Sequence, residues 1–374
     1  MRKLILSSSQ SKRPIGTDPW VQATIKAVDE SVQQGHEIVA SLGLTSWELA
    51  LWRAATTGAD VHLVCPIAPG VERDALREEL LASFAMRENR VVWHWVSVRA
   101  PGRKSAWPLR DQVAVQLADK VLEVSVRPSG RLARLLQNFE SKRTTTYAVP
   151  CKQRRRGAQW ELRAPAPAAD LWPDGAVVHL TRASDGPWPD EPRWRFYEDV
   201  VSSTETYARS GFQTLCRIVR EQRIRGSYFR ARGGQRRVSL TACRPEEVLA
   251  LIRFRARYAR YGFEPYAVVL SARAAVQLGA GPVSYDGDEV PEPFLQGPGK
   301  DGHWRREKEW RVPGDVDLSG LDPREVKIVA ATGTEARELA AWCPYPVGSF
   351  GYTERPASEK IVRIWAPEPT SAAS

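Results

Sequence analysis

Residues 37–65 read EIVASLGLTSWELALWRAATTGADVHLVC, and this stretch decides the fold. The apolar run Glu37–Ala40 predicts a strand, and the amphipathic run Trp47–Thr57 predicts a helix. The β-branched run Val61–Cys65 predicts a second, buried strand. A strand, a helix and a strand in so short a span indicate a right-handed βαβ crossover between parallel strands.

The same alternation continues on both sides of that stretch, from residue 1 to about residue 150. Further strands are predicted at Leu4–Leu6, Val91–Val98, Lys120–Val126 and Thr145–Val149, with helices between them. Strands that alternate with helices are typical of α/β proteins. We therefore predict an α/β domain with a doubly wound parallel sheet over residues 1–150.

Polar loops follow three of the predicted strands, at residues 7–12, 41–46 and 127–130. Ligands of such sheets bind beyond the carboxyl ends of the strands, and helices that begin there favour an anion. We predict that these loops and the helix near residue 110 bind an anionic ligand. The candidate residues are Ser8, Ser9, Ser41, Gly43, Thr45, Arg110, Asp111, Ser129 and Gly130.

Two features limit what these loops indicate. None matches G-x-G-x-x-G or a P-loop, so ordinary dinucleotide or nucleoside triphosphate chemistry is not indicated. Arg110 has two interpretations: it contacts a phosphate or fixes a loop, or it pairs with Asp111 at a helix N-terminus.

Several short motifs keep a recognisable order in this half. They are Val39-Ala-Ser-Leu-Gly43, Gly58-Ala59, Arg110-Asp111, Ala118-Asp119 and Ser129-Gly130-Arg131-Leu132. In this order they resemble the Rossmann domain of DNA-processing protein A (Smf) and of the lysine-decarboxylase-like nucleotide-binding proteins. The family's glycine loop is reduced here, and Asp111 replaces the usual asparagine. The resemblance therefore implies nucleotide sensing more than DNA binding.

The remainder of the chain predicts a different kind of domain. Residues 151–193 are rich in proline and alanine and indicate a linker. Residues 194–355 predict an α+β domain with a mixed or antiparallel sheet, and residues 356–374 predict a flexible tail.

The stretch Trp304–Val312, WRREKEWRV, suggests a site in that second domain. On a strand, Glu307, Glu309 and Arg311 would share one face. Both carboxylates follow the Gly/Pro loop at residues 296–302, and we take them as catalytic candidates. The alternative is a solvated strand in which Glu309 pairs with Arg311.

This stretch also carries a resemblance. Together with Tyr266–Ser271 and Gly281–Tyr285, it resembles the abortive-infection proteins of the AbiGi type, and its layout is similar to that of DarT-type ADP-ribosyltransferases. These resemblances imply a bacterial stress or anti-phage role in which Glu309 catalyses ADP-ribosyl transfer, with NAD or another nucleotide as cofactor. Arg225, Tyr228 and Ser239 would then contact the ligand. Whether the chain is an enzyme stays open.

The net charge of +10 is concentrated in one segment. Between Arg209 and Arg260 the sequence has 14 arginines and only three acidic residues. A localised basic face favours a polyanion. The alternative function is therefore non-enzymatic binding of nucleic acid. The other interpretation of this segment is a solvated, arginine-rich surface that binds no partner.

The remaining composition excludes other classes. Five scattered cysteines without a C-x-x-C pair indicate a reducing, cytoplasmic setting and no metal site. No apolar run reaches 18 residues, so no membrane segment is expected. The sequence leaves the oligomeric state open.

Overall fold

A computed structural model describes residues 1–99, 106–154, 160–162, 166–228, 235–255, 260–285, 291–296, 305–354 and 361–365. The described chain divides into two compact units. The first contains residues 1–154, 190–208 and the strand at 361–365, and the second contains the described residues of 155–189 and 209–360.

A six-stranded parallel sheet is the centre of the first unit. Its strands are β1 (Arg2–Ser7), β2 (Glu37–Ser41), β3 (Val61–Ile67), β4 (Val91–Ser97), β5 (Lys120–Ser125) and β6 (Arg143–Thr144). They lie in the order β4-β3-β2-β1-β5-β6. This arrangement confirms the predicted α/β sheet. The strand order reverses between β1 and β5, and such a reversal is where ligands of doubly wound sheets bind.

Helices cover both faces of this sheet. They are α1 (Pro19–Gln33), α2 (Thr45–Thr56), α3 (Arg73–Phe84), α4 (Trp107–Leu117) and α5 (Arg131–Gln137). Apolar residues of α1 and α2 pack with Ile5 and Leu122 on one face. Leu4 and Leu6 pack with α4 and α5 on the other. The alternation along β1 therefore supplies both layers of core.

Two boundaries of the first unit differ from the prediction. The last strand is only two residues long, and residues 145–149 are not a strand. The helix α7 (Arg193–Ser202), assigned by sequence to the second domain, belongs to the first unit. Its Phe196, Tyr197 and Val200 are buried in the core beside α1 and α2, and that burial is the reason.

The second unit contains a seven-stranded sheet in the order β15-β16-β11-β9-β14-β18-β19. Only the pair β18–β19 is parallel, so the sheet is mixed, as predicted. The strands are β9 (Val177–Thr181), β11 (Arg237–Thr241), β14 (Tyr266–Leu270), β15 (Gly281–Pro282), β16 (Glu309–Pro313), β18 (Val326–Ala330) and β19 (Val347–Ser349). Its helices are α6 (Ala168–Leu171), α8 (Gly211–Glu221), α9 (Pro245–Leu251), α10 (Ala272–Gln277) and α11 (Gly333–Ala340).

Short two-stranded ladders complete the chain. They pair β10 (Arg223–Ile224) with β17 (Val316–Asp317), β12 (Phe254–Arg255) with β13 (Arg260–Tyr261), β8 (Trp160–Leu162) with β20 (Tyr352–Glu354), and β7 (Cys151–Arg154) with β21 (Ile361–Trp365).

The predicted linker and the predicted flexible tail both contain strands. In the predicted linker, β9 is a central strand with Val177 and Val178 buried. The predicted flexible tail lies outside the described residues except for β21. Within the described part of the chain, no helix combines the length and apolarity needed to cross a bilayer.

Candidate ligand-binding site

Two central strands of the first unit end in buried serines. Ser7 closes β1, Ser125 closes β5, and they are partners in the parallel register. Ser7 is 2% exposed and Ser125 is 0% exposed. Among the described residues, neither hydroxyl has a hydrogen-bond partner. Unpartnered buried polar groups are uncommon, and these two lie at the switch point, where ligands of doubly wound sheets bind.

The loops that follow these strands are tied together by Ser8. Its N–H donates to the Ser125 carbonyl at 2.9 Å, and its hydroxyl accepts from the N–H of Arg127 at 2.9 Å. The Gln10 side chain donates to both carbonyls, of Ser8 at 3.1 Å and of Ser125 at 3.3 Å. Ser9 is exposed beside them. Of the predicted ligand-binding serines, Ser8 therefore shapes the edge and Ser9 is accessible there.

The loop after β5 turns at Gly130 into α5. The Gly130 N–H donates to the Arg127 carbonyl at 2.9 Å. A Cβ on Gly130 would lie 2.9 Å from that oxygen, so only glycine is accommodated without a shift. Ser129 is exposed, and Arg131 is 41% exposed at the first residue of the helix. This loop therefore places cationic side chains next to the end of β5.

Polar groups of the loop after β2 form hydrogen bonds within the protein. The N–H of Gly43 donates to Glu48 Oε1 at 2.8 Å. The other oxygen, Glu48 Oε2, accepts from Arg193 at 2.6 Å and from the Tyr197 hydroxyl at 2.9 Å. Ser41 donates to the Val64 carbonyl at 2.6 Å. An internal carboxylate thus occupies the N–H that the sequence assigned to a ligand.

Thr45 is half-buried at the first residue of α2, and its side chain does not cap the helix.

Arg110 is completely buried and holds this same loop. Its Nη1 donates to the Leu42 carbonyl at 2.6 Å, while Nε and Nη2 donate to Asp111 Oδ1 at 2.9 and 2.6 Å. The guanidinium lies 4.5 Å from the centre of the Trp47 ring. Burial lowers the pKa of Arg110, and the Asp111 carboxylate opposes that effect. Of the two sequence interpretations, these contacts match loop fixing combined with pairing to Asp111.

From the sequence, Ser7 was placed in the polar loop 7–12 without being singled out, and Ser125 and Glu48 were not identified. Ser7 and Ser125 resemble ordinary strand ends until β1 and β5 are known to be neighbours. Glu48 reads as a helix residue of α2. For Ser7 and Ser125, the only signal in the sequence was a polar residue at or near the end of an apolar strand.

In the second unit, Glu309 lies on β16 and pairs with Thr241 of β11. Its carboxylate accepts from the Ser239 hydroxyl at 3.0 Å and from Arg311 Nε at 2.9 Å. Arg311 is 1% exposed and also donates to the carbonyls of Pro293 and Leu295 at 3.0 and 3.1 Å. The alternative pairing of Glu309 with Arg311 is therefore present, and it anchors the segment before the Gly/Pro loop.

Glu307 lies outside the strand that carries Glu309, so the predicted strand alternation does not extend to it. Residues 305–307 form a 3₁₀ turn, and Lys308 has φ +42°, which interrupts the strand alternation. The Glu307 carbonyl accepts from the Thr241 hydroxyl at 2.6 Å. Trp304 and the loop at 297–303 lie outside the described residues.

The other predicted ligand contacts of this site lie elsewhere. Arg225 donates to Glu221 at 2.8 Å, and Tyr228 is 62% exposed. Both lie near Ser227, which bridges to Arg237 at the opposite end of β11 from Glu309. Four residues of strand separate the two ends, about 13 Å. Only Ser239 accompanies Glu309.

Tyr285 lies near this carboxylate, and His179 contacts the neighbouring strand β11. Burial and the charges of Glu309 and Glu307 raise the pKa of Tyr285 to about 12. His179 Nδ1 lies 3.0 Å from the Ser239 carbonyl, and burial lowers the pKa of His179. Tyr285 is therefore a neutral phenol near Glu309 at physiological pH.

The basic segment does not form one exposed face. Arg209 and Arg237 are buried. Arg217 and Arg225 both pair with Glu221, and Arg236 pairs with Asp315. Arg230, Arg232 and Arg257 lie outside the described residues. Five arginines of this segment are therefore buried or paired within the unit.

Among the described residues, no group of three or more histidine, cysteine or acidic side chains could hold a metal ion.

Comparisons with known proteins give one structural match. No family model matches the chain, and no curated protein matches it. The solved structure of DNA processing protein A from Helicobacter pylori, described for its unique single-stranded DNA binding mode, matches over 38% of this chain and 63% of that one. The identity is 17% and the TM-score is 0.29. The abortive-infection and transferase resemblances gain no support from these comparisons.

Proposed function

We propose that the first unit binds a nucleotide, through a phosphate group, at the carboxyl ends of β1 and β5. The observation that carries the proposal is the pair of buried, unpartnered hydroxyls of Ser7 and Ser125 at the switch point. A phosphate oxygen accepts hydrogen bonds from hydroxyls, and burial strengthens such bonds. Neither hydroxyl is accessible to solvent, so the proposal requires the loops that Ser8 ties together to open when the ligand binds.

The surrounding charge favours an anion over a neutral ligand. Arg127 follows β5, and Lys12 and Arg13 follow β1. Arg193 and Tyr197 hold Glu48, and Arg110 and Arg131 both pair with Asp111. The proposed site therefore lies between β1 and β5, and the β2 loop acts as its support.

A sensory role is part of this proposal. The first unit would report the concentration of the nucleotide, with the second unit as effector. The predicted bacterial stress or anti-phage role and the ADP-ribosyl transfer from NAD stay predictions. If Glu309→Gln consumes NAD as fast as the unchanged protein, that transfer chemistry is ruled out.

The proposal is tested by measuring the melting temperature with a panel of mono- and dinucleotides and with inorganic phosphate. A ligand that binds only the folded state adds about 2.7 kcal/mol at a concentration one hundred times its Kd. We expect at least one nucleotide to raise the melting temperature, and Ser7→Ala combined with Ser125→Ala to abolish that rise.

Ser31→Ala is the matched control. Ser31 is also a fully buried serine of the first unit, but its hydroxyl donates to the Ala27 carbonyl in α1. This variant should retain the ligand-induced rise. A panel without any shift, or an equal shift in the double variant, would contradict the proposal.

The rival proposal is nucleic-acid binding through the exposed arginines of the segment Arg209–Arg260. It predicts an affinity for single- or double-stranded DNA that falls steeply as salt increases, because each neutralised phosphate releases counterions. Such binding, unaffected by Ser7→Ala with Ser125→Ala, would favour the rival.

A further inference from the structure

The edge strand β4 differs from every other edge of the two large sheets. It has seven residues, VVWHWVS, and His94 is its only ionisable side chain. The opposite edge, β6, has two residues, and its Arg143 pairs with Glu123 and Glu140. The edges of the other sheet, β15 and β19, have two and three residues. Short or charged edges are how proteins prevent pairing with another chain, and β4 lacks both protections.

The outer side of β4 is available for pairing as far as the described residues show. The strand is terminal in its sheet, and no other described strand pairs with it on that side. The Val98 N–H donates inward, to the Ile67 carbonyl at 2.9 Å. Because alternate residues of a strand direct their N–H and C=O groups to opposite sides, Val91, Trp93, Trp95 and Ser97 direct theirs outward.

The sequence of β4 is a palindrome about His94. Residues 92–96 read V-W-H-W-V. A two-fold rotation at His94 places Trp93 opposite Trp95 of a second copy and Val92 opposite Val96. The outward residues then meet as hydrogen-bonded pairs, and His94 meets His94 as a non-hydrogen-bonded pair. A closed, two-fold interface of this kind requires a self-complementary strand.

Side chains of β4 fit such a seam. The rings of Trp93 and Trp95 stack with centroids 5.2 Å apart and an interplanar angle of 9°. Arg77 and Arg73 each lie 5.9 Å from one of these rings. On the other face, Val92 is 48% exposed. Pairing would extend the tryptophan stack across the seam and cover Val92 with Val96 of the second copy.

We propose that β4 pairs antiparallel with β4 of a second copy, so that the two six-stranded sheets form one continuous sheet about a two-fold axis at His94. The occupant of this edge is another copy of the same chain, because only the same palindromic strand satisfies both the register and the side-chain pairing.

The first test measures the mass in solution by light scattering over a wide range of protein concentration. The unchanged protein should show twice the chain mass of 41.8 kDa. Val92→Lys should show the mass of one chain, because a lysine on an edge strand opposes pairing. Val71→Lys is the control, since Val71 is 45% exposed but lies outside β4. A single-chain mass for the unchanged protein, or a dimer in Val92→Lys, overturns the proposal.

The second test fixes the register by cysteine cross-linking. Opposed Cα atoms of a non-hydrogen-bonded pair lie about 4.5 Å apart, within disulfide range. His94→Cys should therefore form a disulfide-linked dimer under mild oxidation. Val92→Cys should not, because its own counterpart lies four residues along the partner strand, about 13 Å away. The unchanged protein controls for the native cysteines, of which only Cys343 is not buried.

A mixture of Val92→Cys and Val96→Cys chains provides an independent check of the same register. These two positions face each other across the axis, so the mixture should cross-link while neither variant does so alone. Equal cross-linking in all samples, or none in both the His94→Cys and mixed samples, contradicts the proposed pairing.

Discussion

At the scale of single residues, three buried serines at strand ends differ in their bonding. Ser41 donates to the Val64 carbonyl at 2.6 Å, whereas the described surroundings of Ser7 and Ser125 offer their hydroxyls no partner. The sequence predicted Ser41 as a ligand contact, placed Ser7 only within a polar loop, and assigned no role to Ser125. The difference depends on which strands are neighbours, and a polar residue at a strand end does not contain that information.

This difference predicts opposite effects of removing the hydroxyls. Ser41→Ala should lower the free energy of unfolding by about 1 kcal/mol, because a buried hydrogen bond is lost. Ser125→Ala should leave it unchanged or raise it, because no described bond is lost and an unpaired buried group disappears. Urea denaturation of both variants without ligand gives the comparison. An equal loss in both would show that Ser125 has a structural partner.

His94 predicts how stability depends on pH. Burial, then the charges of His62 and Arg2, lower its pKa below the usual 6.5. His62 Nδ1 lies 3.0 Å from His94 Nε2, and Glu37 contacts the other nitrogen of His62. The unfolded chain therefore binds a proton at higher pH than the folded chain does. Stability should be complete above about pH 6.5 and fall as the pH decreases through the folded pKa.

The measurement is the melting temperature between about pH 7 and pH 5, compared with His94→Asn. The variant should lose less stability on acidification, because it lacks the group whose folded pKa is lowered. Identical pH profiles would assign the acid sensitivity to other groups.

At the scale of elements, alternation of strands and helices was predictable because apolar periodicity is local. Element ends were less predictable. The strand β16 begins at Glu309 because the backbone of Lys308 adopts φ +42°. The sequence Glu307-Lys308-Glu309 contains no residue that predicts this backbone angle. The turn from β2 to α2 was correctly located, but its glycine has a backbone reason as well as the predicted ligand role. Gly43 has φ +92° and lies over the Arg110 guanidinium.

Gly43→Ala should therefore destabilise the protein by about 1–2 kcal/mol, because this left-handed conformation disfavours any Cβ. Gly186→Ala is the matched control, since its added Cβ meets no atom within 4 Å and its φ is not left-handed. Chemical denaturation provides the free energies. If both variants unfold at the same denaturant concentration, the turn is less constrained than the backbone angle indicates.

At the scale of the whole molecule, the two kinds of sheet were predictable and the path of the chain was not. The alternating first half predicted the parallel sheet, and the irregular second half predicted the mixed one. Residues 190–208 return to the first unit because Phe196, Tyr197 and Val200 complete its core. The proline- and alanine-rich sequence beside this segment does not predict packing against a distant part of the chain. The candidate site shares this limit, because the neighbouring positions of β1 and β5 are a property of the whole sheet.

The most direct test of the central proposal is a crystal structure with the nucleotide that raises the melting temperature most. We predict electron density for a phosphate group within hydrogen-bonding distance, about 2.5–3.0 Å, of the hydroxyls of Ser7 and Ser125. A nucleotide bound with its phosphate at Gly43 or on the second unit, with both hydroxyls still unpartnered, would contradict the account.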